Sequence, residues 1–369
     1  MRILAHLLAL AASVPLLAED PKPKPDPKET IAALMEKAKQ GDVVAQKSLS
    51  FKYKWGLGVP LDAAEAVRWL RKAAEQGDAD AQHDLGNMYA NGQGVPKDDA
   101  EAVKWFRKAA DQGNADWQSD LAHRYANGRG VPKDDAEAVK WFRKAAEQGD
   151  SNAQVNLGLM FKRGERVARD YAEAIAWFRK AADRDGDLLQ SYAQIQLGYG
   201  YLFGQGVPKD AAEAVKWFRK AAEQGDSNAQ VQLGLMYFNG RSVPKDDAEA
   251  VKWFRKAAEQ GHADAQCTLG FMYANGQGVP KDDAEAVKWY RKAADQGLAE
   301  AQHNLGVMYA KGLGVPKDDA EAYKWWLLAG AQGEEQARKG IDAIEKLLNP
   351  AQRAEGQRMA REFKAKAAE

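Results

Sequence analysis

Cysteine is almost absent: among 369 residues Cys267 is the single thiol. A disulfide within the chain is therefore excluded, as is a zinc or iron–sulfur site built from several cysteines. Net charge is absent as well. The 53 Lys+Arg balance 53 Asp+Glu, so no overall field draws the chain to nucleic acid or to anionic lipid. The five histidines are His6, His83, His123, His262 and His303, too scattered for the i, i+3 or i+4 spacing of a helical metal pair. The last four read as surface residues, and no metal or cofactor is expected.

Long hydrophobic runs are missing with one exception, Ile3 to Leu17. That run is broken by His6, Ser13 and Pro15 and is shorter than the ~20 residues that span a bilayer. Arg2 before it and Ala18 after it complete the layout of a secretory signal peptide over residues 1–18. The expectation is a bacterial exported protein, periplasmic or secreted, whose mature chain has no stable membrane span. Residues 19–29 follow as a linker in which Pro21, Pro23, Pro25 and Pro27 alternate with charges, a pattern that favours an extended polyproline-like tether.

What the chain has in abundance is repetition. Trp69, Trp105, Trp141, Trp177, Trp217, Trp253, Trp289 and Trp325 recur at spacings of 36, 36, 36, 40, 36, 36 and 36. Gln46, Gln82, Gln118, Gln154, Gln194, Gln230, Gln266 and Gln302 keep the same register, as do the leucines from Leu49 to Leu305. Eight units result, at 42–77, 78–113, 114–149, 150–185, 186–225, 226–261, 262–297 and 298–333. The four extra residues of the fifth unit fall around Gly186 to Leu189.

Each unit parses into two helices. In the second unit Ala81, Leu85 and Tyr89 form an i, i+4, i+8 stripe over about 79–91. The loop Gly92-Gln93-Gly94-Val95-Pro96 ends that helix, its glycines permitting positive φ and its proline blocking continuation. Asp98 and Glu101 then read as a capping box for a second helix with Ala102, Trp105, Phe106 and Ala109 on its apolar face. Such a hairpin cannot bury both faces alone, so it must stack on its neighbours. Residues 30–41 read as an N-terminal capping half-repeat, and residues 334–369 as C-terminal capping helices whose Arg338 and Glu345 face water, with Asn349-Pro350 starting the last helix and Met359 and Phe363 on its inner side.

The framework Ala81-Gln82-x-x-Leu85-Gly86-x-x-Tyr89, Gly92-x-Gly94-Val95, Asp98-x-x-Glu101-Ala102-x-x-Trp105 and Lys108-Ala109-Ala110-x-x-Gly113 resembles the Sel-1-like repeat, a relative of the tetratricopeptide repeat. The resemblance covers all eight units. It implies an all-α, right-handed α-solenoid that serves as scaffold or adaptor, with no shared catalytic residues. Some cysteine-rich exported relatives are linked to β-lactam hydrolysis, which leaves a peptidoglycan-binding or β-lactam-hydrolysing enzyme as the alternative, but this chain lacks their paired cysteines.

Apparent catalytic signals have simpler readings. The recurrent Asp-x-x-Glu pairs, such as Asp134 and Glu137, sit at helix starts. Gly92-Gln93-Gly94 leads into acidic residues, which occupy the helix N-terminus that a phosphate would need. The Lys-Trp-Phe-Arg-Lys runs, as at 140–144, carry their aromatics in core phase and neighbouring carboxylates, which argues against nucleic acid.

Specificity must then lie where units differ. With Leu85 at zero and 100° per residue, positions 83, 87 and 90 fall at about 160°, 200° and 140°, facing away from the core. By resemblance to the tetratricopeptide fold that face lines a concave groove. In the middle units it carries Val155, Leu159, Ile195, Tyr199, Leu202, Val231, Leu235, Phe238 and Phe271. These nine are the expected contacts for a peptide or protein partner. Cys267 shares the face and reads as a small neutral filler.

Overall fold

The computed structural model describes residues 30–183 and 188–365. The signal segment 1–18, the linker 19–29 and Gly186 of the insertion lie outside the described residues. Among the described residues there are nineteen α-helices and no strand. They form two compact units that divide after Ala145.

The first unit holds α1 (Ile31–Lys39), α2 (Val43–Trp55), α3 (Ala63–Glu75), α4 (Ala79–Asn91), α5 (Asp99–Ala110), α6 (Ala115–Asn127) and most of α7 (Asp135–Glu147). The second holds α8 (Ser151–Arg163), α9 (Tyr171–Ala182), α10 (Leu188–Phe203), α11 (Ala211–Glu223), α12 (Ser227–Asn239), α13 (Asp247–Glu259), α14 (Ala263–Asn275), α15 (Asp283–Asp295), α16 (Ala299–Lys311) and α17 (Asp319–Ala331). It ends in α18 (Glu335–Ile344) and α19 (Pro350–Glu362). Within each unit, successive helices pack on the next, so every repeat lends a face to its successor.

Local chemistry sets the helix ends. Asp78 Oδ1 accepts from Ala81 N–H at 2.8 Å to start α4. Gly92, at φ 68°, stops it while Gln93 N–H donates to Met88 O, a Schellman closure. Asp98 Oδ1 accepts from Ala100 and Glu101 N–H at 3.0 and 2.9 Å, as a cap should. The expected box is not closed, however. Asp98 N–H donates to Tyr89 O, and Glu101 instead accepts from Trp105 Nε1 at 3.1 Å and from Lys104 Nζ at 2.7 Å. The acid thus satisfies a buried indole. A reciprocal box does form at α19, between Asn349 and Gln352.

The recurring glutamines join the repeats. Buried Gln266 donates from Nε2 to Ala258 O at 3.0 Å, a carbonyl at the end of α13 that also accepts from Gly261 N–H at 3.1 Å. Its own Oε1 accepts at 2.8 Å from Gln296, the residue ending α15, and Gln296 also donates to Gly261 O at 2.9 Å. The same relay recurs through Gln82 with Gln112 and through Gln302 with Gln332. In the lengthened fifth repeat it is rewired: Gln190 and Gln194 both donate to Ala182 O, and Ser191 donates to Gln224. At the C-terminal cap Arg338, expected to do no more than face water, donates from Nε to Gly330 O at 3.4 Å and so takes over the glutamine's place. Glu345 likewise accepts from Tyr323 Oη at 2.5 Å.

Close approach does the remaining fitting. A Cβ added at Gly234 would stand 2.9 Å from the Phe254 ring of the paired helix. One at Gly206 would stand 2.1 Å from Tyr171 O of the preceding repeat. In the fourth and sixth repeats this loop position is Arg166 and Ser242, held at φ 71° and 72°, a region that disfavours side chains. The Lys-Trp-Phe-Arg-Lys run is also accounted for. Lys256 lies 4.2 Å from the centroid of buried Trp253, Phe254 is in the core, and Arg255 hydrogen-bonds Tyr273 of the next repeat. At the far end Phe363 meets Trp325 edge-on at 5.5 Å, closing the last repeat.

Candidate protein-interaction surface

The first helices of repeats four to seven, α8, α10, α12 and α14, carry the nine expected contacts. Three of these are not available to a partner: Val155, Ile195 and Val231 are buried, at 5, 7 and 8 % exposure. Each packs in a core cluster, Val155 with Ile175 and Phe178, Ile195 with Val215 and Phe218, and Val231 with Val251 and Phe254. The helical-wheel argument assumed one buried side, but a first helix in a stack also lies beside the first helix of the next repeat. His83, at the equivalent position of α4, shows this second contact. Its ring stacks on Trp117 of α6 at 5.2 Å and meets Phe106 of α5 edge-on at 5.4 Å.

Histidines read as surface residues are corrected by the same contacts. His83, His123 and His303 are half-buried. His123 sits 4.9 Å from Phe142 and His303 lies 6.4 Å from Trp326. His262 caps α14. Burial holds the His303 imidazole below its ordinary pKa, against Glu334 and Glu300, which act in the other direction. Cys267 is buried beside Asn304 Nδ2 at 3.9 Å, and desolvation pushes its thiol up to about 12, so it is neutral at physiological pH.

The remaining six lie further out. Leu159, Tyr199, Leu202, Leu235 and Phe238 are half-buried, each packed on a core cluster with part of its surface free. Phe271 is 42 % exposed. Sequence reasoning missed Phe203, which is 63 % exposed and stacks on Tyr199 at 6.1 Å with an interplanar angle of 8°. Its signal was present: of the seven equivalent residues four are asparagine, Asn91, Asn127, Asn239 and Asn275, two are the cations Arg163 and Lys311, and one is Trp55. Burial also raises the Tyr199 phenol, and it lowers Lys162, whose Nζ donates to Gln196 Oε1 at 2.6 Å.

The surface has little charge of its own. Neither α10 nor α12 contains an acidic or basic residue, whereas the second helices concentrate both signs. Among the described residues no group of three or more His, Cys, Asp or Glu is placed to hold a metal. No helix of the described residues is long and apolar enough to cross a membrane.

Paired helices, interlocked glutamines and glycine–aromatic contacts define an α-solenoid of tandem two-helix repeats. The Sel1 repeat family matches at 43–78, 79–114, 117–150, 151–186, 191–226, 227–262, 263–298 and 299–334, and the chain belongs to that family. Sel1 repeats, like tetratricopeptide repeats, generally act in protein–protein interaction. The chain is similar to a Sel1 repeat protein from Oxalobacter formigenes, with 32 % identity and a TM-score of 0.73 over 91 % of this chain and 99 % of the other. It is also similar to c5321, a protective antigen of uropathogenic Escherichia coli strains displaying an SLR fold. There the identity is 30 %, the TM-score 0.41, and the coverage 91 % and 94 %. No curated protein matches the chain.

Proposed function

We propose that this protein is an exported, non-catalytic scaffold that holds a peptide or partner helix against α8, α10, α12 and α14. The observation that carries the reading is the uncharged, part-exposed ribbon of Leu159, Tyr199, Leu202, Phe203, Leu235, Phe238 and Phe271. Surface aromatics grouped in this way favour a partner that contributes apolar side chains. Covering the free part of seven such groups contributes about 1 kcal/mol each, about 7 together. Association costs about 4 to 15 kcal/mol, so the ribbon supports weak, reversible capture unless polar contacts add to it. The signal-peptide layout supports export.

Leu159→Asp combined with Leu235→Asp tests the binding surface. Both side chains lie at the rim of the core, so helicity at 222 nm is expected to persist while crosslinked recovery of the partner from the native compartment is lost. Recovery at wild-type strength with intact helicity overturns the assignment. Mass measurement of the exported chain tests the other half, with cleavage after Ala18 expected and an intact N-terminus contradicting it.

A further inference from the structure

One cation stands in the register of the ribbon. The third wheel position reads Lys162, Leu202, Phe238 and Ala274 in repeats four to seven, and Leu159 lies one turn before Lys162 on α8. The Lys162 side chain is half-buried, and its Nζ reaches the next repeat, where it donates to Oε1 of buried Gln196 at 2.6 Å. Gln196 shares a face of α10 with Tyr192 and Tyr199, at i−4 and i+3. A neutral acceptor thus holds the ammonium on the ribbon.

A half-buried cation is costly unless an anion faces it. Elsewhere this chain supplies that anion itself. Lys47, half-buried on α2, lies 3.1 Å from Asp78 Oδ1 and 2.7 Å from Asp80 Oδ2 of the second repeat. Among the described residues Lys162 has no such carboxylate; its neighbour Arg163 is a second cation, 3.6 Å from Glu165. Burial and then Arg163 push the Lys162 ammonium below its ordinary pKa, whereas burial of Lys47 is more than reversed by its hydrogen bonds to Asp80 and Asp78. The place of Gln196 is acidic in the second and third repeats, as Asp84 and Asp120, but is Asn156, Gln196, Gln232 and Thr268 in repeats four to seven. The acid is missing where the ribbon lies.

We propose that Lys162 receives a side-chain carboxylate of the partner, so that the ribbon binds an amphipathic helix with a glutamate or aspartate set among its apolar residues. This rests on the ribbon being the binding surface. The arriving carboxylate makes a charge-assisted hydrogen bond to the ammonium, and the apolar groups around it keep bulk water from the pair. Such a pair fixes the register of the bound helix, which apolar contacts alone leave open.

Panning a displayed library of amphipathic helical peptides against the purified chain tests this, with Lys162→Met and Lys162→Glu alongside. Leu202 and Phe238 occupy the same position, so Lys162→Met is expected to keep its circular dichroism and melting midpoint. The unaltered chain should enrich peptides with an acid at one fixed place in the apolar stripe, and Lys162→Glu peptides with Lys or Arg at that place. Changing the acid of an enriched peptide to its amide should weaken binding to the unaltered chain about tenfold and leave binding to Lys162→Met unchanged. Apolar peptides without a fixed acid, enriched equally by all three chains and lost on Leu159→Asp with Leu235→Asp, overturn the proposal while the ribbon stands. No enrichment, or enrichment that survives those aspartates, overturns both. Dimers in sedimentation that Lys162→Glu abolishes make a second copy the occupant and overturn the proposal as well.

Discussion

The loop glycines give the sharpest test of how tightly one repeat seats on the last. Gly206 and Gly225 both have positive φ, 77° and 96°, but differ in surroundings. A Cβ at Gly225 meets nothing within 4 Å, whereas one at Gly206 would stand 2.1 Å from Tyr171 O and 2.3 Å from Tyr171 C. Alanine at Gly225 therefore pays the left-handed backbone cost alone, about 1 kcal/mol. At Gly206 the obstacle is main chain, which no rotamer change can move aside, and overpacking adds about 1 to 3 kcal/mol. Gly206→Ala is expected to cost about 2 to 4 kcal/mol, and the difference between the two variants isolates the inter-repeat contact. Urea unfolding followed at 222 nm reads it, supported by amide exchange in α9 and α11, since repeat arrays need not unfold in one step. Equal losses in the two variants would refute the claim that the carbonyl approach, rather than φ, demands glycine there. The converse change, Ser242→Gly, relieves a left-handed serine and should stabilise by about 1 kcal/mol.

Other consequences follow from the buried polar groups. Gln230→Leu removes the bonds to Ala222 O and from Gln260 Nε2 at 3.1 and 2.8 Å; Ala222 O keeps Gly225 N–H and Gln260 Nε2 keeps Lys256 O, so the expected cost is about 1 to 2 kcal/mol in the same denaturation assay. His303 has a depressed folded pKa. The unfolded chain therefore takes up the proton first, and stability present above pH 6.5 is lost as pH falls from there through the folded value. His303→Gln should flatten the dependence of the melting midpoint on pH between 7.5 and 5.5, and an unaltered slope contradicts the assignment.

The periodic part of the fold was legible because its determinants recur in phase. The capping aspartate acts at its own helix start, while each leucine and tryptophan meets the second helix of the repeat before, as Leu269 and Trp289 meet Val251 and Phe254, so the period alone implies the stack. The glutamines were visible as a column, but their role depends on a carbonyl eight residues back and on a second glutamine thirty residues on. Pairing the column of Gln46 to Gln302 with the column of Gln76, Gln112, Gln260, Gln296 and Gln332 would have suggested it. The error at Val155, Ile195 and Val231 has a single physical source: a wheel centred on Leu85 describes a helix with one neighbour, and these helices have contacts on both sides. Phe203 stands outside the three wheel positions, at the last residue of its helix, where four of the seven sister repeats carry asparagine.

Site-specific photocrosslinking tests the partner surface most directly. A photoreactive phenylalanine is placed at Phe203, at Phe271 and, as control, at exposed Lys252 on the charged second helix α13. The account predicts that irradiation in the native compartment yields the same covalent partner from Phe203 and Phe271 and none from Lys252. A partner joined through Lys252 and not through either aromatic position would contradict it.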